Sequence, residues 1–265
     1  MNFSSFAIPA PGGVHAPLLA VGSIAQIISF ARPVTPDVRA ARKSARWFYA
    51  AMAAAVLVAE FVGFSHSERA RIAAGYTLSP IAIGHATLFS SWIVLFLVQT
   101  LLVSTGHTRV HRRLGVGAAV LAAIMVVSAP LLAVGLARRG QPPGDPLAFL
   151  LIVLVDLLAF AVFVGAGIYN RRRSETHRRL MLLATTSLLP PGISRWPIAV
   201  GNPGSVIMIA LLVFLAAAPI HDLWARRRAH PVSLWGGLAL LASVPLRLVV
   251  AESAVWHDIA RWLVR

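Results

Sequence analysis

The chain is built of long apolar runs separated by short polar connections. Runs at 47–64, 80–104, 114–136, 147–169, 179–200, 204–221 and 232–250 hold few or no charged residues. Each comes near the roughly 20 residues that a helix needs to cross a hydrocarbon core about 30 Å thick. The runs are near-continuous and do not alternate every second position, which selects helices over barrel strands. The pattern predicts an all-α, polytopic transmembrane helix bundle of about seven spans over 47–250. Residues 1–46 read as an N-terminal extension, apolar at first and then basic. Its apolar part, 16–31, is short for a span and lacks the positive start of a signal peptide; it reads as a poorly ordered or interfacial extension, with an eighth span as the alternative. Residues 251–265 place Val255, Ile259, Trp262 and Leu263 on one helical face, predicting a short amphipathic helix lying at the interface.

Charge then orients the bundle. Arg32, Arg39, Arg42, Lys43 and Arg46 precede the first span, and the later connections alternate light and heavy in arginine. Arg69 and Arg71 are followed by Arg109, Arg112 and Arg113; then Arg138 and Arg139; then Arg171, Arg172, Arg173, Arg178 and Arg179; then none at 201–203; and finally Arg226, Arg227 and Arg228. Basic loops stay cytoplasmic, so the expectation is a bacterial inner-membrane protein with its N-terminal stretch inside and its C-terminus outside.

Composition agrees with this class and narrows the chemistry. Hydrophobic residues make up 58% of the 265, charged residues 12%, and the mean hydropathy is +0.76, far from the roughly 45–50% apolar and about 25% charged of soluble domains. The formal charge of +15 is spent on topology and on attraction to anionic headgroups. No basic domain stands outside the apolar runs, so nucleic acid is not an expected partner. Cysteine is absent, which removes disulfides, thiolate nucleophiles and iron–sulfur sites. No connection exceeds about 15 residues, too little for a soluble catalytic domain. Nucleophile-elbow, phosphate-loop and dinucleotide fingerprints are missing as well.

Ionisable residues inside the apolar runs are the informative ones, since each is costly there and should be paired or face a cavity. Glu60, His85, Asp156, Arg195 and Arg247 fall at outer to middle depth on five different segments. They read either as the lining of one outward-facing polar cavity or as isolated ion pairs, Glu60 or Asp156 with Arg195 or Arg247. Just before Arg195, Pro190, Pro191 and Gly192 predict a break in the fifth helix, and broken membrane helices often flank binding sites. A b-type haem needs facing histidines at one depth, and His85 has none at its own. At the cytoplasmic ends, His111 and His177 are weak candidates for a metal or haem, without tight ligand spacing around them. The arginines beside them, Arg112, Arg113, Arg178 and Arg179, sit where helices re-enter the membrane and suit lipid phosphates.

His-Arg-Arg-Leu occurs twice, at 111–114 and 177–180. Together with "FVGFSHS", "HATLFSSWIVLFLVQTLLVSTGHTRVHRRLG", "HRRLMLLATTSLLPPGISR" and "AHPVSLWGGLALLASVPLR", the chain over about 45–250 resembles a family of bacterial polytopic inner-membrane proteins. The resemblance implies seven helices and no particular activity. It makes His85, Trp92, Gln99, His111, Arg112, His177, Arg178, Pro190, Pro191, His230 and Pro231 the matching positions. The expected function is therefore a carrier or binder of a small anionic or amphipathic molecule. A haem- or metal-binding redox protein and a non-catalytic assembly or lipid-interacting protein are the alternatives.

Overall fold

In a computed structural model, residues 36–75, 77, 79–140 and 144–265 are described, with side chains from Ala45 onward. The chain divides into Met1–Arg39 and Ala40–Arg265, and the second unit carries the bundle. The helices are α1 (Pro36–Ala73), α2 (Pro80–Ser104), α3 (Thr108–Arg138), α4 (Pro146–Tyr169), α5 (Ser174–Thr186), α6 (Pro190–Ile193), α7 (Pro203–Arg226), α8 (Pro231–Ala251) and α9 (Ala254–Leu263), with a 3₁₀ turn at Pro197–Ala199 between α6 and α7. The described residues contain no strand. Six helical segments, Ala45–Ala73, α2, α3, α4, α7 and α8, are long and apolar enough to cross a membrane. The protein is thus a multi-pass, all-α membrane bundle.

Two expectations change. From Pro36 the basic stretch is not separate from the first span, because α1 is already helical there. The fifth span at 179–200 is not one helix but three short pieces, so the continuous spanning helices number six among the described residues. Residues 16–31, the alternative eighth span, lie outside the described residues.

Helix starts follow one local rule. Four of the helices that open with proline, whose missing N–H is no loss at the first position, do so directly after a residue that caps the next free donors. Ser79 accepts from Ala82 N–H (3.3 Å), Asp145 from Leu147 and Ala148 N–H (2.8 and 3.3 Å), and Asn202 from Ser205 N–H (3.2 Å). His230 completes the set with Nδ1 accepting from Val232 N–H (3.2 Å). The fifth span breaks for the opposite reason. Donors to the Ser187 carbonyl at i+3 and i+4 would be residues 190 and 191, both proline and both without N–H. The chain turns instead through α6, and Trp196 before Pro197 is extended, as the residue preceding proline prefers.

The main core joins Val56 and Ala59 of α1, Trp92 and Ile93 of α2, Met125 of α3, Phe160 of α4, Leu183 and Leu189 beside the break, Leu211 of α7 and Val244 of α8. Helix α5 packs between α4, α7 and α8, while α6 and the 3₁₀ turn pack on α7. A second core holds α9 to α4: Trp256 and Ala260 bury against Leu150 and Leu151, and the Trp256 indole donates to Leu147 O (2.7 Å). The opposite side of α9 leaves Val255, Ile259 and Trp262 exposed. These residues share one face as expected; Leu263, expected with them, packs instead against the second core.

Candidate functional site

At the end of the bundle where α1 finishes and α4 begins, the broken span crosses α1 at glycine. A Cβ built on Gly63 would lie 1.9 Å from Gly192 O, and one on Gly192 would lie 2.5 Å from Glu60 Oε1. Only two residues without side chains allow this approach. The Trp196 indole donates to Ala59 O (2.9 Å), one turn back along α1. Glu60 is consequently sealed under the break at 7% exposure, and its Oε1 accepts no hydrogen bond. Arg195 does not come within ion-pair distance of it. The Arg195 guanidinium donates to Pro191 O and lies over the Phe64 ring, 4.8 Å from its centroid, on the exposed side.

The other intramembrane candidates lie elsewhere. Asp156 of α4 accepts from Arg247 of α8 in a close ion pair, with Arg247 buried at 6% exposure. His85 stacks on Phe89 of its own helix at 4.2 Å between centroids, and its Nδ1 is buried without a partner. The five residues therefore do not line one cavity: they sort into the Glu60–Gly192–Arg195 crossing, the Asp156–Arg247 pair and the His85–Phe89 stack. A groove of about 790 Å³ opens between α2 and α3, lined by Ile83, Thr87, Ser90, Val94, Leu114 and Leu121 among others, and none of the five reaches it.

The arginine-rich end holds a larger polar assembly. Arg179 is 1% exposed and clasps Asp222 of α7, also 1% exposed, through Nε (3.1 Å) and through Nη2. Its Nη1 donates to the Glu175 carbonyl (2.8 Å) and carboxylate (2.7 Å). The same Glu175 Oε2 receives Arg178 (2.5 Å) and Arg226 (2.6 Å). Partial burial pushes the Glu175 carboxyl up, but hydrogen bonds from Arg226 and Arg179 and the charges of Arg178 and Arg226 outweigh it and hold it at about 2. His230 N–H closes the network on Asp222 (3.3 Å). The Arg178 guanidinium sits over the Tyr49 ring of α1 at 4.8 Å. Arg179 is thus not a lipid-phosphate contact: its five N–H donors are turned inward. Arg112 and Arg113, the same letters in the other repeat, are exposed.

His111 and His177 do meet, their rings perpendicular and 6.3 Å apart between centroids. His177 Nδ1 faces Gly167 O at 2.9 Å. Gln99 of α2 reaches across to α3: with its amide oxygen accepting from Gly115 N–H (3.0 Å), its nitrogen donates to His111 Nδ1 (2.5 Å) and His111 O (3.2 Å). With Nδ1 accepting, the imidazole proton of His111 sits on Nε2. His177 has its Nδ1 bonded to a carbonyl. No group of three His, Cys, Asp or Glu able to hold a metal occurs among the described residues.

Sequence reasoning placed the break and the buried Glu60 but missed Asp222 as the partner of Arg179, and Tyr49 and Gln99 as polar bridges between helices. Comparison with protein-family models, curated proteins and solved structures finds no match for the chain.

Proposed function

We propose that the protein is a carrier or binder of a small anionic or amphipathic molecule, working at the crossing of α1 with the discontinuous span and using Glu60 as its proton-bearing group. The carrying observation is Glu60 itself, buried at 7% exposure with an unpartnered carboxylate oxygen against a helix whose backbone is already broken. A carboxylate inside the hydrocarbon region costs roughly 2.5–3.5 kcal/mol unless compensated. A bundle retains such a group where protons or ligands come and go. Asp156, the other candidate acid, is committed to Arg247. Arg195, exposed beside the break, supplies the cation that would receive an anion from the outside. In this reading the bilayer is a bacterial inner membrane, the arginine-rich end is cytoplasmic, and Arg112 and Arg113 meet lipid phosphates there.

The test uses the full chain in proteoliposomes containing phosphatidylglycerol. Dicyclohexylcarbodiimide, which attacks protonated carboxyls from the lipid phase, is expected to modify Glu60 and spare Asp156, as read by peptide mass spectrometry. Benzoate, as a small amphipathic anion, is expected to slow that modification in the wild type and not after Arg195→Gln. Absence of labelling at Glu60, or labelling that benzoate leaves unchanged, overturns the reading. A Soret band from the purified protein would do so as well.

A further inference from the structure

Two spanning helices end on the same short pattern. Tyr169 closes α4 and is followed by Asn170 and then Arg171, Arg172 and Arg173; Trp224 lies in the last turn of α7 and is followed by Ala225 and then Arg226, Arg227 and Arg228. An aromatic residue, one spacer and three arginines thus occur twice. Both rings face outward, Tyr169 at 84% exposure and Trp224 at 77%, and all six arginines are exposed. Exposed Tyr and Trp at the ends of spanning helices settle at the headgroup level, so the arginines that follow them come to the depth of lipid phosphates.

The fold sets the two segments side by side. Arg226 Nη1 meets Glu175 Oε2 at 2.6 Å, in the first turn of α5 and two residues past the first triplet. Glu175 also holds Arg178 and Arg179, and Asp222 is committed to Arg179. Arg171 turns back onto Ile168 O (3.3 Å). Arg172, Arg173, Arg227 and Arg228 are left exposed, and no carboxylate pairs with them among the described residues. Arg227 is also the one non-glycine among the described residues with a left-handed backbone, at φ 61° and ψ 10°. The position just past a helix favours glycine in that conformation. An arginine kept there at the expense of backbone strain points to use of its charge.

We propose that the junction of the α4–α5 turn with the end of α7 is a binding site for a lipid carrying two phosphates on one headgroup, of the cardiolipin class. One phosphate is received by Arg172 and Arg173 and the other by Arg227 and Arg228, with Tyr169 and Trp224 beside the acyl chains. Guanidiniums take phosphate oxygens in paired, charge-assisted hydrogen bonds. Glu175 sets the spacing of the two triplets by holding the end of α7 to the start of α5. Arg112 and Arg113, which have no such aromatic before them, meet lipid phosphates singly. The site lies at the opposite end of the bundle from Glu60 and does not depend on the carrier reading.

The experiment follows lipid binding by native mass spectrometry of the delipidated full chain, titrated with tetraoleoyl cardiolipin or with dioleoyl phosphatidylglycerol at equal phosphate. The wild type is expected to bind cardiolipin at least about tenfold more tightly, because its second phosphate binds as a linked group. Arg172→Gln/Arg227→Gly is expected to weaken cardiolipin binding by about 25-fold, roughly fivefold for each arginine. Its melting temperature should be unchanged or higher, since glycine suits the left-handed position. Arg112→Gln/Arg113→Gln is expected to keep the preference for cardiolipin. Glu175→Ala separates a built site from diffuse charge. It makes the surface more positive, so diffuse attraction tightens both lipids, whereas loss of the bridge between the triplets lowers the preference for cardiolipin. Equal affinity for the two lipids in the wild type overturns the proposal, as does a preference that survives Arg172→Gln/Arg227→Gly or tighter cardiolipin binding after Glu175→Ala. Displacement of cardiolipin by inorganic phosphate would mean a free-anion site, and displacement by polyglutamate a site for an acidic protein; either would also overturn it.

Discussion

The carboxylate of Glu60 occupies the space a side chain at residue 192 would need: a Cβ on Gly192 would stand 2.5 Å from Glu60 Oε1 and 2.6 Å from its Cδ. The break in the fifth span and the buried acid are therefore one feature. The glycine both follows the prolines that interrupt the helix and opens the place where the acid sits.

That geometry predicts unequal costs for adding a methyl group on either side of the crossing. At Gly192 the obstacle is the end of a flexible side chain, which can move. At Gly63 it is the backbone carbonyl of Gly192, 1.9 Å away, which cannot move without separating the two segments. Overpacking of this kind costs about 1–3 kcal/mol, and Gly63→Ala is expected at the upper end of that range or beyond, Gly192→Ala at the lower. Thermal unfolding of both variants in detergent checks the order. Combining Gly192→Ala with Glu60→Ala should recover most of the loss, whereas Gly63→Ala with Glu60→Ala should not.

The Asp156–Arg247 pair predicts non-additivity. Arg247 is 6% exposed, so Asp156→Asn leaves a buried guanidinium uncompensated, at a cost of about 3–5 kcal/mol, as Arg247→Met does for the carboxylate. The double variant Asp156→Asn/Arg247→Met removes both charges and is expected to be markedly more stable than the sum of the singles implies. A double-mutant cycle by chemical or thermal unfolding measures this. Additive costs would mean that the two side chains are not coupled.

How much of this was readable before the structure depends on whether the signal is local. Ser79-Pro80, Asp145-Pro146, Asn202-Pro203 and His230-Pro231 carry their caps in adjacent letters, and the helix starts at 80, 146, 203 and 231 follow. The Pro190-Pro191-Gly192 break is local too, because missing N–H groups act within one turn. What the letters do not carry is facing. His-Arg-Arg-Leu is identical at 111–114 and 177–180, yet Arg113 is exposed and Arg179 is 1% exposed. The difference is that α5 packs between α4, α7 and α8 and meets Asp222, 43 residues on. The acid–arginine pairing failed to resolve for the same reason: Glu60 and Asp156 each had two possible partners, and only packing shows that Asp156 takes Arg247 across 91 residues.

The two repeats therefore predict opposite phenotypes from the same substitution. Arg112→Gln with Arg113→Gln removes exposed charges, so bound phosphatidylglycerol, read by native mass spectrometry, should fall while thermal stability changes little. Arg179→Gln leaves Asp222 buried without its partner and is expected to cost about 3–5 kcal/mol with lipid retention per folded molecule unchanged. The Glu175 contribution to this network has a sign in pH. Its carboxyl lies at about 2, below its ordinary 4.5, so the stabilisation is complete above 4.5 and is lost as pH falls through about 2.

The docking of α9 is expected to depend on pH from both sides. His257 Nε2 meets Asp145 Oδ2 at 2.6 Å, joining α9 to the cap of α4. The hydrogen bond from His257 lowers the Asp145 carboxyl below its ordinary 3.8, and bonds to Ser253 O and Asp145 raise the His257 imidazole above its ordinary 6.5. A raised imidazole stabilises the docked state fully below 6.5 and loses that contribution as pH rises through its higher, docked value. A lowered carboxyl stabilises it above 3.8 and loses that contribution as pH falls through its lower, docked value. The tether is thus complete only between 3.8 and 6.5. Amide hydrogen exchange across Ala254–Leu263 should be slowest in that window and faster on either side. In His257→Phe the exchange rates, corrected for the intrinsic pH dependence, should lose the minimum. If the variant keeps it, the tether is not what docks α9, and the Trp256 indole on Leu147 O with its apolar seat carries the contact alone.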